Sequence, residues 1–236
     1  MRLKIFLWTV GERITLESLD LLVRHTPKPY ELVVWYDACG RGVDLEFLRA
    51  VNKYTDDTIV VSKDKNSRAA WSFASLNLEF DRLIICAADL LVLPGYYERL
   101  IEPFHTLDKV ACVGEAWRPS LGKEWAISDD ARGIDGIVCV SSEAINDVGS
   151  VSPAFNGRGP YHQEWFRRFS KNGWKSVAMD GLCVHGGLQH EGRDMDPDWQ
   201  KDLHKDNLAW LESERLGHTG FKWWERNINK WRPVTA

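Results

Sequence analysis

Acids and hydroxyls stand at the ends of three apolar runs in the first half of the chain. Residues 82–97, RLIICAADLLVLPGYY, lead through Leu83, Ile84, Ile85 and Cys86 to a single carboxylate, Asp89. A second apolar run, 90–93, follows it and stops at Pro94-Gly95. ELVVWYD ends in Asp37, and LKIFLWTVGE ends in Thr9, Gly11 and Glu12. A buried strand that delivers one acid to a turn at its C-terminal end presents a carboxylate to a ligand in an open α/β sheet. The same pattern suits a core strand whose Asp caps a turn. Three acid-bearing strand ends aimed at one crevice favour the ligand reading.

For those acids to meet, the runs must be neighbouring strands. Apolar runs at 3–10, 31–36, 58–61, 82–89 and 109–114 read as strands. Between them, ITLESLDLLVRHT has helical spacing at Leu16, Leu19, Leu22 and Val23 and is followed by Pro27. Asp44 can cap a helix with Leu45, Leu48 and Val51 on its core face. A further helix opens at 66–68, with Ser67 as its cap, and runs to Phe80. This alternation predicts an α/β fold with a mostly parallel central sheet and helices on both faces. Ligands in such sheets bind at the carboxyl ends of the strands.

Composition narrows the classes. The chain has 236 residues, 44% of them hydrophobic, which is enough for a substantial core. A net charge of -4 and a pI near 6.0 argue against a nucleic-acid binder. Cys39, Cys86, Cys112, Cys139 and Cys183 are widely spaced, with no C-x-x-C pair. They read as reduced core thiols of a cytoplasmic protein. MRLKIFLWTV is too short for a secretory leader, and no apolar run reaches the length of about 18 residues that a membrane span needs.

The second half is less regular. Residues 115–130 are Trp-rich without a clean period, 134–140 look like a strand, and 141–149 a short helix. Residues 161–172 read as a helix with Trp165, Phe166 and Phe169 on its apolar face, closed by Gly173. Short extended segments at 174–179 and 182–184 precede His185-Gly186-Gly187 and a charged loop with His190 and Arg193. Pro197 suits the first position of a helix to about residue 216, followed by a basic, Trp-rich tail. That tail suits either packing on the domain or peripheral contact with a membrane surface.

In their order and spacing, these landmarks over residues 4–190 resemble the GT-A fold glycosyltransferases of family-2 type. The resemblance implies one GT-A domain: a nucleotide-binding half at 1–115, an acceptor and catalytic half at 116–196, and a C-terminal helix and tail at 197–236. WTVGER resembles the first strand end of that family, which implies that Thr9, Gly11 and Glu12 approach the donor's base. ELVVWYDACG places Asp37 at the base-binding aspartate, and the segment 66–74 makes Arg68 a further nucleotide contact. ICAADLLVLPG resembles the strand carrying the Asp-x-Asp motif: Asp89 matches the second Asp, and Ala87 stands where the first is expected. YHQEWFRRFSKNGW resembles the family's acidic helix, with Glu164 on the second acid and His162 at the usual catalytic Asp. LCVHGG resembles the strand that ends in the metal-binding His, here His185.

The implied chemistry is transfer of a sugar from a UDP- or GDP-sugar to an acceptor hydroxyl of a glycan, lipid or small molecule. A divalent ion, Mn²⁺ or Mg²⁺, neutralises the leaving diphosphate, with Asp89 and His185 as protein ligands. Mn²⁺ tolerates imidazole better than Mg²⁺ does. His162 or Glu164 supplies the base for the acceptor. Trp117, Trp125, Tyr161 and Trp165 could form a sugar platform, although core packing is the default for a tryptophan. Ala87 and His162 also suit a non-catalytic sugar- or nucleotide-binding protein on a degenerate GT-A fold. A nucleotidyltransferase would need a longer Gly- and Arg-rich loop than Gly11-Glu12-Arg13 supplies.

Overall fold

The structure is a computed structural model that describes residues 1–185 except 39, 41, 56, 62–66, 77–78, 117–124, 129–133 and 152–160. The helix expected at 197–216, the tail, His190, Arg193 and Cys39 lie outside the described residues.

Strands β1 (Leu3–Thr9), β2 (Glu31–Asp37), β3 (Asp57–Val61) and β4 (Arg82–Ala87) form the parallel half of an eight-stranded sheet. Helices α1 (Ile14–His25), α2 (Leu45–Val51) and α3 (Ser67–Leu76) connect them in turn. The sheet order is β3-β2-β1-β4-β8-β6-β9-β7, where β6 is Val110–Ala116, β7 Trp125–Ser128, β8 Ile134–Ser141 and β9 Lys175–Met179. Only β8 and β7 run against the rest, because β8 pairs antiparallel with both β4 and β6, and β7 antiparallel with β9. The remaining helices among the described residues are α4 (Tyr96–Thr106), α5 (Ser142–Val148) and α6 (Tyr161–Lys171). A separate two-stranded ladder joins β5 (Leu90–Val92) to β10 (Cys183–His185).

The continuous apolar runs become strands because both faces of the sheet are covered. Along β1, Leu3, Ile5 and Leu7 enter one core with Leu19 and Leu22 of α1, Phe47 of α2, and Tyr96 and Leu100 of α4. Phe6 enters the other core with Ala70 and Ala74 of α3, Ile145 of α5, and Trp165, Phe166 and Phe169 of α6. Strands β2 and β4 alternate in the same way, Val34 and Ile84 on the first side, Val33 and Ile85 on the second. Each such side chain contributes about 1.5–3 kcal/mol on full burial, so these three strands anchor both layers. Four cysteines, Cys86, Cys112, Cys139 and Cys183, are buried free thiols.

Three local expectations change. Helix α3 spans Ser67–Leu76, and residues 79–80 are not helical, so it stops short of Phe80. The strand expected to end at Asp89 stops at Ala87, and residues 88–89 form the turn before β5. The third change is α4, which Pro94-Gly95 and the internal Pro103 disguise in the sequence. Gly95 enters that helix at φ 78, a left-handed conformation suited to glycine, and the apolar spacing of Tyr96, Leu100 and Ile101 then holds it on the sheet. Asp44 caps α2 as expected, its Oδ1 accepting from the backbone N–H of Glu46 at 2.9 Å and of Phe47 at 3.0 Å. No helix among the described residues is long and apolar enough to cross a membrane.

The irregular join between β6 and β8 depends on Gly114. A Cβ there would lie 2.6 Å from both Ile134 Cγ2 and the Ile137 carbonyl oxygen, beside a register shift between Gly114 and Ala116. Gly114→Ala therefore forces backbone apart in the middle of the sheet and should destabilise the protein by about 1–3 kcal/mol. Urea unfolding of the variant beside the wild type measures this directly.

Candidate active site

The site is built at the C-terminal edge of β2, β1 and β4. Register pairs Thr9 with Tyr36 and Trp8 with both Trp35 and Ala87, so the three strands end side by side. Neighbouring strands lie about 4.8 Å apart, which puts Asp37 and the turn bearing Asp89 about 10 Å from one another across the end of β1. The parallel topology thus brings Thr9, Gly11, Glu12, Asp37 and Asp89 to one edge of the sheet.

Their local roles differ. Thr9 is fully buried, and its hydroxyl accepts from Gly11 N at 2.8 Å, donates to Glu12 Oε2 at 3.0 Å and meets Thr15 Oγ1 at 2.8 Å. Glu12 Oε2 also accepts from Val10 N at 3.2 Å. This network shapes the β1–α1 turn. Gly11 has φ +88, and a Cβ on it would come within 2.9 Å of Tyr36 Cε2, so the turn sits directly on the Tyr36 ring. Asp37 is completely buried where β2 leaves the sheet, with Ala38 N donating to Val61 O at 2.6 Å beside it. Arg68 is the second residue of α3, the helix that follows β3.

Asp89 is half-buried in the turn between β4 and β5. Its neighbour Leu90 is held from three sides. The buried Ser18 hydroxyl of α1 donates to Leu90 O at 2.7 Å. Gly136 of β8 approaches the Leu90 side chain so closely that a Cβ would meet Cδ1 at 2.8 Å. On the third side Leu90 pairs with His185 in the antiparallel β5–β10 ladder. Asp89 and His185, nearly 100 residues apart in sequence, therefore occupy adjacent register positions. An aspartate and a histidine at neighbouring backbone positions are residue types that could make a partial donor set for Mn²⁺; the side chain of His185 lies outside the described residues. Among the described residues no group of three or more His, Cys, Asp or Glu forms a metal cluster.

Helix α6 carries the two candidate bases. His162 is half-buried among aromatic rings, 5.8 Å from Trp71 of α3, 5.4 Å from Tyr161 and 6.0 Å from Phe166 between centroids. Glu164 is buried, and its Oε1 lies 2.7 Å from Arg168 Nε one turn on. Arg168 also donates to Val148 O and Ser150 O, both at 2.6 Å, so the pair ties α6 to the end of α5. Sequence spacing located Glu164 but not this partnership, although the i,i+4 Glu–Arg pair was legible. Tyr161 and Trp165 are core residues, and Trp165 Nε1 donates to Gly149 O at 2.8 Å. They pack the domain and do not form a sugar platform; the side chains of Trp117 and Trp125 lie outside the described residues.

No family model matches the sequence, and no curated protein matches it. Solved structures do. The mannosyltransferase PcManGT from Pyrobaculum calidifontis, in complex with GDP-Man and Mn²⁺, is similar over 90% of this chain and 64% of its own, with a TM-score of 0.65 and 14% identity. GalNAc-T7 with UDP, GalNAc and Mn²⁺ is similar over 80% of this chain and 44% of its own, with a TM-score of 0.60 and 14% identity. Residues 1–349 of S. aureus TarS are similar over 76% of this chain and 58% of that one, with a TM-score of 0.55 and 12% identity. The chain spans less than two thirds of the length of each of these structures.

The Arg168–Glu164 pair carries a prediction. Arg168→Met removes a buried ion pair with Glu164 and the donors to two carbonyls, and should cost about 3 kcal/mol in stability. Chemical denaturation with Glu164→Gln and the double variant separates the pair's coupling from the cost of each change. A double variant no less stable than either single one is the expected signature of the pair. With its strand ends, its split Asp89 run and these structural neighbours, the chain has the GT-A fold of glycosyltransferases.

Proposed function

We propose that this protein is a glycosyltransferase that moves a sugar from a UDP- or GDP-sugar to an acceptor hydroxyl. The observation that carries the reading is the β5–β10 pairing, which sets His185 across from Leu90 and so beside Asp89. Solved structures of this fold that hold a nucleotide or nucleotide sugar with Mn²⁺ support it. Asp89 and His185 are the protein ligands of the cation, Mn²⁺ in preference to Mg²⁺ because of the imidazole. When bound, the cation would offset the negative charge that develops on the leaving diphosphate.

The chain's own residues do the rest. The Thr9–Glu12 turn and the Asp37 strand end flank the base of the donor, and Arg68 lies on the nucleotide side. His162 takes the acceptor's proton on its imidazole. Glu164 is the alternative base; with Oε1 already held by Arg168, the role its geometry supplies is to position the start of α6. Reduced, buried thiols suit a reducing compartment such as the cytoplasm.

A second reading has its own observations. Ala87 replaces one of two expected acids, and Glu164 is engaged by Arg168. Both favour a nucleotide- or sugar-binding protein that does not turn its ligand over.

The experiment incubates the purified protein with Mn²⁺ and a panel of UDP- and GDP-sugars, with and without simple glycan acceptors, and follows nucleoside diphosphate release. One donor should be consumed. Asp89→Ala and His162→Ala should each lower the rate by at least about 100-fold. Nucleotide binding without turnover for every donor and acceptor would replace the enzyme with the binding protein.

A further inference from the structure

The partial donor set depends on β10, and β10 is three residues long and pairs with a strand of three residues. A two-stranded ladder of that length does not hold itself together. Its register needs support from elsewhere, and two charged side chains supply it.

Glu115, near the end of β6, accepts three backbone N–H groups, two from the turn before β10 and one from its first residue. Gly181 N reaches Oε1 at 3.0 Å, while Leu182 N and Cys183 N reach Oε2 at 2.5 and 3.1 Å. From the other side, Arg99 of α4 donates Nη1 to Gly181 O at 2.8 Å and Nη2 to Asp180 O at 2.6 Å. Gly181 has φ +73, and a Cβ there would lie 3.4 Å from Arg99 Nη1, so the turn conformation and the guanidinium fit each other. Leu93 N then donates to Leu182 O at 2.9 Å and starts the β5–β10 ladder from the same turn.

The chemistry is unusual for simple packing. Burial pushes the Glu115 carboxyl above the ordinary glutamate range, and the three N–H groups oppose that push. An apolar side chain would bury at the end of β6 without that cost. A carboxylate earns its place there because only an acceptor with two oxygens can collect three converging donors. Together the two side chains fix residues 180–183, the segment that leads directly into His185.

We infer that Glu115 and Arg99 are positioning residues that set the register of β10 and so hold His185 beside Asp89 for cation binding. The inference rests on the proposed assignment of Asp89 and His185 as ligands. Groups that orient metal ligands typically change metal affinity by about 10–100-fold when removed. Glu115→Gln keeps the shape but presents an amide donor to converging N–H groups, and Arg99→Gln removes the two-pronged grip on the carbonyls.

The test titrates Mn²⁺ into the full-length protein in the presence of GDP or UDP, reading free Mn²⁺ by its electron paramagnetic resonance signal, with thermal melts in parallel. Wild type should bind, Asp89→Ala should not, and Glu115→Gln and Arg99→Gln should each weaken Mn²⁺ binding about tenfold while remaining folded at the assay temperature. Arg99→Lys, which restores one donor, should recover part of the loss. Variants that melt earlier yet bind Mn²⁺ as tightly as wild type overturn the inference, since the grip then serves stability alone. If Glu115→Gln does not fold, the two Arg99 variants decide by the same criterion. No Mn²⁺ binding by the wild type, or undiminished binding by Asp89→Ala, overturns the ligand assignment, and the inference with it.

Discussion

Strand β1 is the constraint on which the rest of the structure depends. It pairs in parallel with β2 from Lys4 to Thr9 and with β4 from Leu3 to Trp8, and a packed core lies against each of its faces. Parallel pairing with two covered faces allows one register. A slip by one residue would send Ile5 and Phe6 into each other's cores. With that register set, the ends of β2, β1 and β4 coincide, and Asp37, the Thr9–Glu12 turn and the Asp89 turn share one edge.

Charge serves as a staple within the sheet and beyond it. Lys4, nearly buried in the sheet, meets Glu31 at 3.1 Å where β1 and β2 begin. Arg168 joins α6 to the end of α5 through one carboxylate and two carbonyls. Glu115 and Arg99 hold the turn before β10. Buried or half-buried charges are costly unless hydrogen-bonded, and each of these spends its capacity on a long-range contact. In the irregular second half such contacts substitute for the continuous strand pairing that organises the first.

Much of the first half was legible because its signals are local. Strands buried on both faces read as unbroken apolar runs, as LKIFLWT and ELVVWYD show, and Asp44 lies two and three residues from the N–H groups it caps. The sequence set Asp89 between two apolar runs, and the structure moves only the strand end, from Asp89 back to Ala87, with Ser18, Gly136 and β10 holding Leu90 on the far side of the turn. Helix α4 was hidden because glycine and proline at its start and a proline within it oppose helix by propensity, while Tyr96, Leu100 and Ile101 secure it by burial. The Trp-rich stretch hid β7, which is a strand only because β9 lies beside it.

The amino-acid order by itself determined the alternating elements, the parallel half of the sheet and the identity of the acids at its strand ends. Tertiary structure alone decided which of those acids meet which partners. It inserted β8 against the direction of its neighbours, committed Glu164 to Arg168, gave Glu115 to the β9–β10 turn and set His185 beside Asp89. The division follows from range. Periodicity and capping act over a few residues and are written where they act. Pairing between segments tens of residues apart depends on the burial and hydrogen bonding of the whole chain, which no single stretch encodes.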